Sequence, residues 1–524
     1  MEPNPDRWKP FLDPLLDAPN SKYKLVQKDT IELDSYTELI NERVFPNQTR
    51  VDPASDSKQE LNKTLLVTGM LVWDPRLPGM AFDSMAKQLY NLFSSAVRTN
   101  DYFHAYGRVR TLFWVSSDDF RSMLAESSAS FAKNNCLLEM TQQMDLIVNG
   151  SRGPRGLGKA APGREPAYEI ESTVRALQRG RETGMALPTH RQDTIHEIAA
   201  EIEKLSDGTG RSQSSSWLHG FLEAKHLEGK TPTGLLTEAY FEHADRTIAL
   251  QNKYPEFDLS EMGNARGTTK RVANFWKGRE DHPGRDELHS FILTKAADRA
   301  LLAKKDHHEY VADVGEELYD SECRALRLKD GPKKDALLKK IEELDAQWYK
   351  LVSALAANYK AAPTSILDDR LSMRAPPYPR LQWDRRTFEP LTMRPDEAWP
   401  PARLALVSST PFPRPAGETV DWSEWVHDFV YALFAIPSQS LPEALDKLQH
   451  GASQIMEDCP ALTDPAKGGR MNLKHLRVRM LTSEMIEQLV KAYRDWPFKE
   501  PGSDHNKYFR WKGMNKGIDS SRGL

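Results

Sequence analysis

Between Tyr102 and Arg110 the chain reads YFHAYGRVR, which sets Tyr102, Phe103, His104 and Tyr106 beside Arg108 and Arg110. Rings next to guanidinium groups are what a single-stranded nucleic acid requires: cations for phosphates and flat faces for unstacked bases. The same residues also suit a plainer arrangement, rings in a core and arginines on an ordinary surface. Residues 500–524 repeat the mixture more densely, with Lys507, Arg510, Lys512 and Lys516 alternating with Tyr508, Phe509 and Trp511. Their Gly and Ser content predicts a tail that builds no core of its own; a frayed terminus is the alternative. Tyr106, Arg108, Arg110, Lys507, Tyr508, Arg510, Trp511 and Lys512 are therefore the candidate nucleic-acid contacts.

Other reactive residue types are spaced less suggestively. His307, His308 and Glu309, and His190 with His196, lack an i, i+4 pair with a third ligand, so no metal site is expected. Cys136, Cys323 and Cys459 form no CxxC pair, which argues for a reducing compartment and against a disulfide framework. RGPRGLGK (152–159) follows no apolar strand and reads as linker rather than phosphate loop. No catalytic residue is assigned.

The elements that must position these residues are legible in the hydrophobic pattern. Phe82, Met85, Leu89, Leu92, Phe93 and Ala96 recur at helical spacing. Leu65–Leu71 and Val109–Val115 read as strands, the second rich enough in apolar residues to be covered on both faces of a parallel sheet. Ser117 is the expected cap of a helix bearing Phe120, Met123 and Leu124. Helix, strand and helix in succession make the unit of an open α/β sheet.

Downstream, 149–166 is a Gly-, Arg- and Pro-rich linker, and 167–363 is charged and helical in pattern. The clearest helix there is Lys333–Lys360, with Leu337, Leu338, Ile341, Leu344, Trp348, Leu351, Val352 and Leu355 in one stripe. The sheet resumes at Ala402–Val407. Asp421 and Glu424 then form a capping-box pattern ahead of Trp422, Trp425, Val426, Phe429, Leu433 and Phe434, and Pro437 stops that helix. Ser440 starts a second helix and Thr482 a third, with Ile486, Leu489, Val490 and Tyr493 inward. The expected segments are 1–148 and 380–416 as the two parts of a sheet domain, 149–379 as linker and helical insertion, 417–499 as a helical domain and 500–524 as the tail.

At 524 residues the chain can hold two or three domains. Lys and Arg number 71 against 75 Asp and Glu, a net charge of -4, so nucleic-acid contact must come from local basic patches. No run of apolar residues is long enough for a membrane span.

Several blocks carry a family resemblance. FHAYGRVRTLFWVSSDDFRSMLA (Phe103–Ala125) closely resembles the corresponding segment of the fungal mitochondrial transcription factor B family. Trp383–Pro411, the region from Asp421 to Lys499, and LDAPNSKYKLVQKDTIELDSY (Leu16–Tyr36) agree in order. That family descends from the ribosomal RNA adenine dimethylases, which use S-adenosylmethionine.

The resemblance implies an α/β fold: a class I methyltransferase-like (Rossmann-like) sheet, N-terminally truncated, with a small C-terminal helical domain and a large helical insertion. MEPNPDRW is neither an Arg-rich leader nor an apolar signal. The expectation is that the sequence starts inside the fold, without the first strand and its Gly-rich turn, and that the open sheet edge promotes aggregation. By resemblance, Glu2 falls where an acid binds the cofactor ribose and Asp29 where one faces the adenine. Both are read as vestigial. The dimethylases' Asn-(Leu/Ile)-Pro-(Tyr/Phe) motif, which holds and stacks the flipped base, is matched against Leu66-Val67-Thr68-Gly69, and methyl transfer is not expected.

The implied function is a mitochondrial transcription initiation factor, located in the matrix. Its partners would be the mitochondrial RNA polymerase and promoter DNA, especially the melted single strand, with RNA a further ligand and no membrane. The alternative is an S-adenosylmethionine-dependent rRNA adenine N6-dimethyltransferase, or a non-catalytic RNA-binding relative.

Overall fold

Apolar alternation and β-branched residues draw the chain into one mixed sheet in this computed structural model, which describes residues 1–499 except 43, 54, 56, 57, 81, 154–163, 258 and 260–275. Its strands are β1 (Leu61–Leu71), β2 (Arg108–Ser116), β3 (Gln142–Gly150), β4 (Leu391–Met393) and β5 (Leu404–Pro411), in the order β1-β2-β5-β3-β4. β1 runs parallel to β2, and β3 to β4. β5 is reversed between β2 and β3, antiparallel to both.

β2 is not covered evenly. Val109, Phe113 and Val115 are buried against the Met85–Thr99 helix side, whereas Leu112 and Trp114 are half-buried and Arg110 is exposed on the other face. The expectation of a doubly covered parallel strand is thus corrected: one neighbour is antiparallel and one face is partly open.

Ser84 caps the Met85–Thr99 helix by accepting from the Lys87 amide. Ala86, Leu89, Tyr90, Phe93 and Val97 form its buried face, and Asn100 ends it in the left-handed region at φ 56°. Asparagine tolerates that conformation better than most side chains. Ser117 is not a cap. It lies inside the Ser117–Met123 helix, buried, and its Oγ accepts from the Gly150 amide at 3.1 Å. That bond ties the end of β2 to the end of β3.

The C-terminal helices form their own core, in which Phe429, Val430, Leu441, Leu445, Ile486, Leu489 and Val490 are buried together. The cap of Val420–Leu433 is Thr419, whose hydroxyl accepts from the Trp422 amide, and not Asp421. Thr482 caps Ser483–Asp495 as expected.

The stripe read over Lys333–Lys360 forms a helix only over Pro332–Ser353, and Ala361–Arg374 is a separate helix after a short 3-10 turn. These pack with the long Arg285–Arg327 helix around Val311, Leu318, Ile341, Leu344 and Trp348.

Buried ion pairs sew this region to both neighbours. Arg374 bridges Glu171 at 2.7 Å and Glu316 at 2.6 Å. Asp368 accepts from Arg477 at 2.9 Å and from Arg479 at 2.6 Å. Arg164 makes two 2.9 Å bonds to Asp384, next to the sheet. Described residues of the 149–379 region are thus joined by buried ion pairs to Asp384, beside the sheet, and to Arg477 and Arg479 of the C-terminal region.

Candidate nucleic-acid interface

The YFHAYGRVR segment folds as a 3-10 helix, Tyr102–Tyr106, leading into β2. Its rings point inward. Phe103 lies 5.1 Å from Phe93, and Tyr106 meets Phe45 edge-on at 5.7 Å. Arg108 is buried as well and donates to the Phe412 carbonyl at 3.0 Å. Burial, together with Arg414 and Arg98 and against Glu418, lowers its pKa to about 10.

Only Arg110 of the upstream candidates is exposed, its Nε 3.3 Å from Ser408 Oγ across the sheet. The plainer arrangement thus holds for Tyr106 and Arg108, which are corrected from nucleic-acid contacts to core residues. The physical reason is that the Tyr106 ring is buried against Phe45 and the Arg108 guanidinium is engaged with the Phe412 carbonyl. Lys507, Tyr508, Arg510, Trp511 and Lys512 lie outside the described residues.

His104 is enclosed with these rings. Its Nδ1 accepts from the Val109 amide at 3.2 Å, and burial, with Arg108 nearby, pushes its pKa down to about 3. An unfolded histidine titrates near 6.5, so below that pH the unfolded chain binds a proton that the folded chain refuses. His104 then costs up to about 1.4 kcal/mol of stability per pH unit as the pH falls from 6.5 towards 3. The His104→Gln variant is expected to be less stable than the parent at pH 7.5, and the gap should narrow on acidification. Melting temperatures measured from pH 7.5 to 5 check this; a constant gap contradicts it.

Glu2 and Asp29 act locally. Glu2 Oε1 accepts from the Asn4 amide at 2.9 Å, and Asp29 Oδ1 from the Ile31 amide at 2.9 Å. The Glu2 amide donates to the Val26 carbonyl, which brings their two segments side by side. Neither carboxylate is among the residues lining the two grooves described below. Among the described residues, no group of three His, Cys, Asp or Glu side chains is placed to hold a metal.

Two concave sites stand out. The first, about 280 Å³, opens at the carboxyl ends of β1 and β2, where open α/β sheets bind ligands. Trp73, Arg76, Ser116, Asp119 and Arg403 line it. The buried Asp119 carboxylate accepts from Arg76 at 2.6 Å and from Ser84 Oγ at 3.0 Å. Leu66-Val67-Thr68-Gly69 lie within β1, not after it. Val72 and Trp73, which follow the strand, line this site.

The second groove, about 550 Å³, lies between the Met85–Thr99, Lys133–Thr141 and Val420–Leu433 helices. Phe82, Leu92, Leu137 and Val420 supply apolar walls, and Asn91, Asn134 and His427 polar ones. The Arg98 guanidinium lines it, donating to the Ser423 and Leu137 carbonyls at 3.3 Å each. Burial lowers its pKa to about 10, with Cys136 and Glu418 pulling the other way, so it remains a cation at neutral pH.

Beside the groove, His427 stacks on Tyr431 at 6.2 Å, and Lys133 Nζ sits 3.3 Å from the Tyr431 ring centroid. Tyr431 is 44% exposed, which leaves part of its ring available to a ligand. Sequence reasoning missed this cluster. The i, i+4 pair His427 and Tyr431 was visible on the outer side of an amphipathic helix, but nothing local linked it to Lys133 or Arg98.

No family model, curated protein or solved structure matches this chain. No helix among the described residues is long and apolar enough to cross a membrane.

Proposed function

We propose that this chain is a transcription initiation factor on a class I methyltransferase-like scaffold, which assists the mitochondrial RNA polymerase in the matrix by holding melted promoter DNA. The observation that carries this reading is the groove with Arg98 in its wall and the Lys133–His427–Tyr431 cluster on its rim. It combines fixed cations with an accessible ring, the two elements that single strands need. The mixed sheet followed by a helical domain supports the scaffold.

The energetics are adequate. Stacking contributes ~1–3 kcal/mol per base held, against about 1.4 kcal/mol for each base-pair step opened. One base held on Tyr431 therefore offsets opening of about one or two steps, and phosphate contacts to the basic groups add to it. The test is runoff transcription with the cognate polymerase on duplex and pre-melted promoters, in which the duplex alone should require this protein. Equal output with and without it on both templates argues against the reading.

A second reading, adenine N6-dimethylation of ribosomal RNA, is favoured by one observation: Trp73 at the carboxyl-end site offers a ring on which a flipped base could stack. Glu2 and Asp29, occupied with local amides, add no support for S-adenosylmethionine binding.

A further inference from the structure

β1 is an edge strand, and among the described residues no backbone hydrogen bond reaches its outer side. Its pairing with β2 is interrupted between Asn62 and Leu66 and regular from Leu66 to Leu71. Asn62 Oδ1 accepts the Thr64 and Leu65 amides within that irregularity. The regular stretch LVTGML carries neither charge nor proline, and Lys63 is the only charged residue in β1. Leu66 is 54% and Met70 58% exposed, on the same face as Thr68. Natural edges are usually blunted by charge, proline or brevity. This one is blunted only at its start.

We infer that β1 pairs antiparallel with β1 of a second copy of this chain, about a two-fold axis at Thr68. In such a pair, residues directly opposite share a face, so the axis must pass through a residue and not between two. At Thr68, Leu66 meets Met70 of the second copy, and Met70 meets its Leu66. Thr68 meets Thr68, Val67 meets Gly69, and Leu65 meets Leu71. This register brings both exposed apolar side chains of each copy together and places a Thr–Thr pair at the centre, a favourable cross-strand combination. Lys63 meets no like charge, because Trp73 lies opposite it. An axis at Gly69 would instead face Leu66 with Val72 and Thr68 with Met70, leaving the two exposed apolar residues unmatched. The observations favour a second copy over an unrelated peptide because the strand complements itself in sequence, face and charge. The pairing makes one continuous sheet through both copies, and it does not depend on the functional reading.

The test is the solution mass of the full chain by light scattering after size exclusion, at tens of micromolar. The parent is expected at twice the chain mass. The variant Leu66→Lys with Met70→Lys sets lysine against lysine and should weaken association at least tenfold. Leu66→Lys with Met70→Glu sets lysine against glutamate and should restore the dimer. Both positions are exposed, so the variants should keep the parent's secondary structure by circular dichroism and its melting temperature at concentrations low enough to dissociate the parent. Amide exchange in the parent gives a reading independent of the variants: residues 66–71 should be protected in concentrated protein and exchange faster on dilution. A monomeric parent, association that survives the lysine pair, or concentration-independent exchange would each overturn the inference.

Discussion

Glu322→Leu is expected to lower the free energy of unfolding by about 3–5 kcal/mol, because it strands a buried cation. Arg470 meets Glu322 through two hydrogen bonds, Nε to Oε2 at 2.9 Å and Nη2 to Oε1 at 3.0 Å, with both side chains almost wholly buried. Glu322 belongs to the Arg285–Arg327 helix and Arg470 to the C-terminal domain, so the pair spans the insertion and the region expected to be separate from it. Arg470 Nη1 also reaches the His475 carbonyl, at 3.4 Å, which a lone guanidinium would keep but which cannot neutralise it. The double variant Glu322→Leu with Arg470→Met should recover most of the loss, since two apolar groups of similar volume leave no uncompensated charge. Urea unfolding of the parent, both single variants and the double variant measures this. Single variants within 1 kcal/mol of the parent would mean that the insertion is not held by this contact.

Tyr431→Ala is expected to weaken single-stranded DNA binding about 5- to 150-fold, the equivalent of ~1–3 kcal/mol of stacking for one base. Lys133→Ala should act differently, lowering the slope of log affinity against log salt by about 0.7 for one lost phosphate contact. Tyr431→Ala should leave that slope unchanged, because a ring neutralises no phosphate. Fluorescence anisotropy of a labelled oligonucleotide across a salt series separates the two. Unchanged affinity in both variants would remove the groove from the nucleic-acid reading.

What was legible in the sequence is local, and what was not depends on contacts between distant segments. β1, β2, β5, the helix start at Ser440 and the cap at Thr482 were legible because period and capping are local. The reversal of β5 was not, since a run such as LALV is equally apolar in either direction. β3 was hidden because QQMDLIVNG runs directly into a Gly- and Arg-rich segment. Thr419 displaced Asp421 as cap because both residue types suit the position, and only the observed turn selects one.

At the candidate site, Arg108 and Tyr106 show the limit of composition: the same rings and cations serve a core when the adjoining strand points them inward. The Lys133–Tyr431 contact was out of reach for the opposite reason, since its members lie far apart in the chain. Pairs such as Arg164 with Asp384 are long-range in the same way. They tie the helical insertion to the sheet region through contacts that no local pattern announces.

The most direct test of the central claim is runoff transcription by the cognate mitochondrial RNA polymerase with the parent protein and with Tyr431→Ala. Each is assayed on a duplex promoter and on one pre-melted around the start site. The account predicts parent-dependent runoff on the duplex, little dependence on the pre-melted template, and a defect of Tyr431→Ala confined to the duplex. Full runoff from the duplex without the protein, or a Tyr431→Ala protein as active as the parent there, would contradict it.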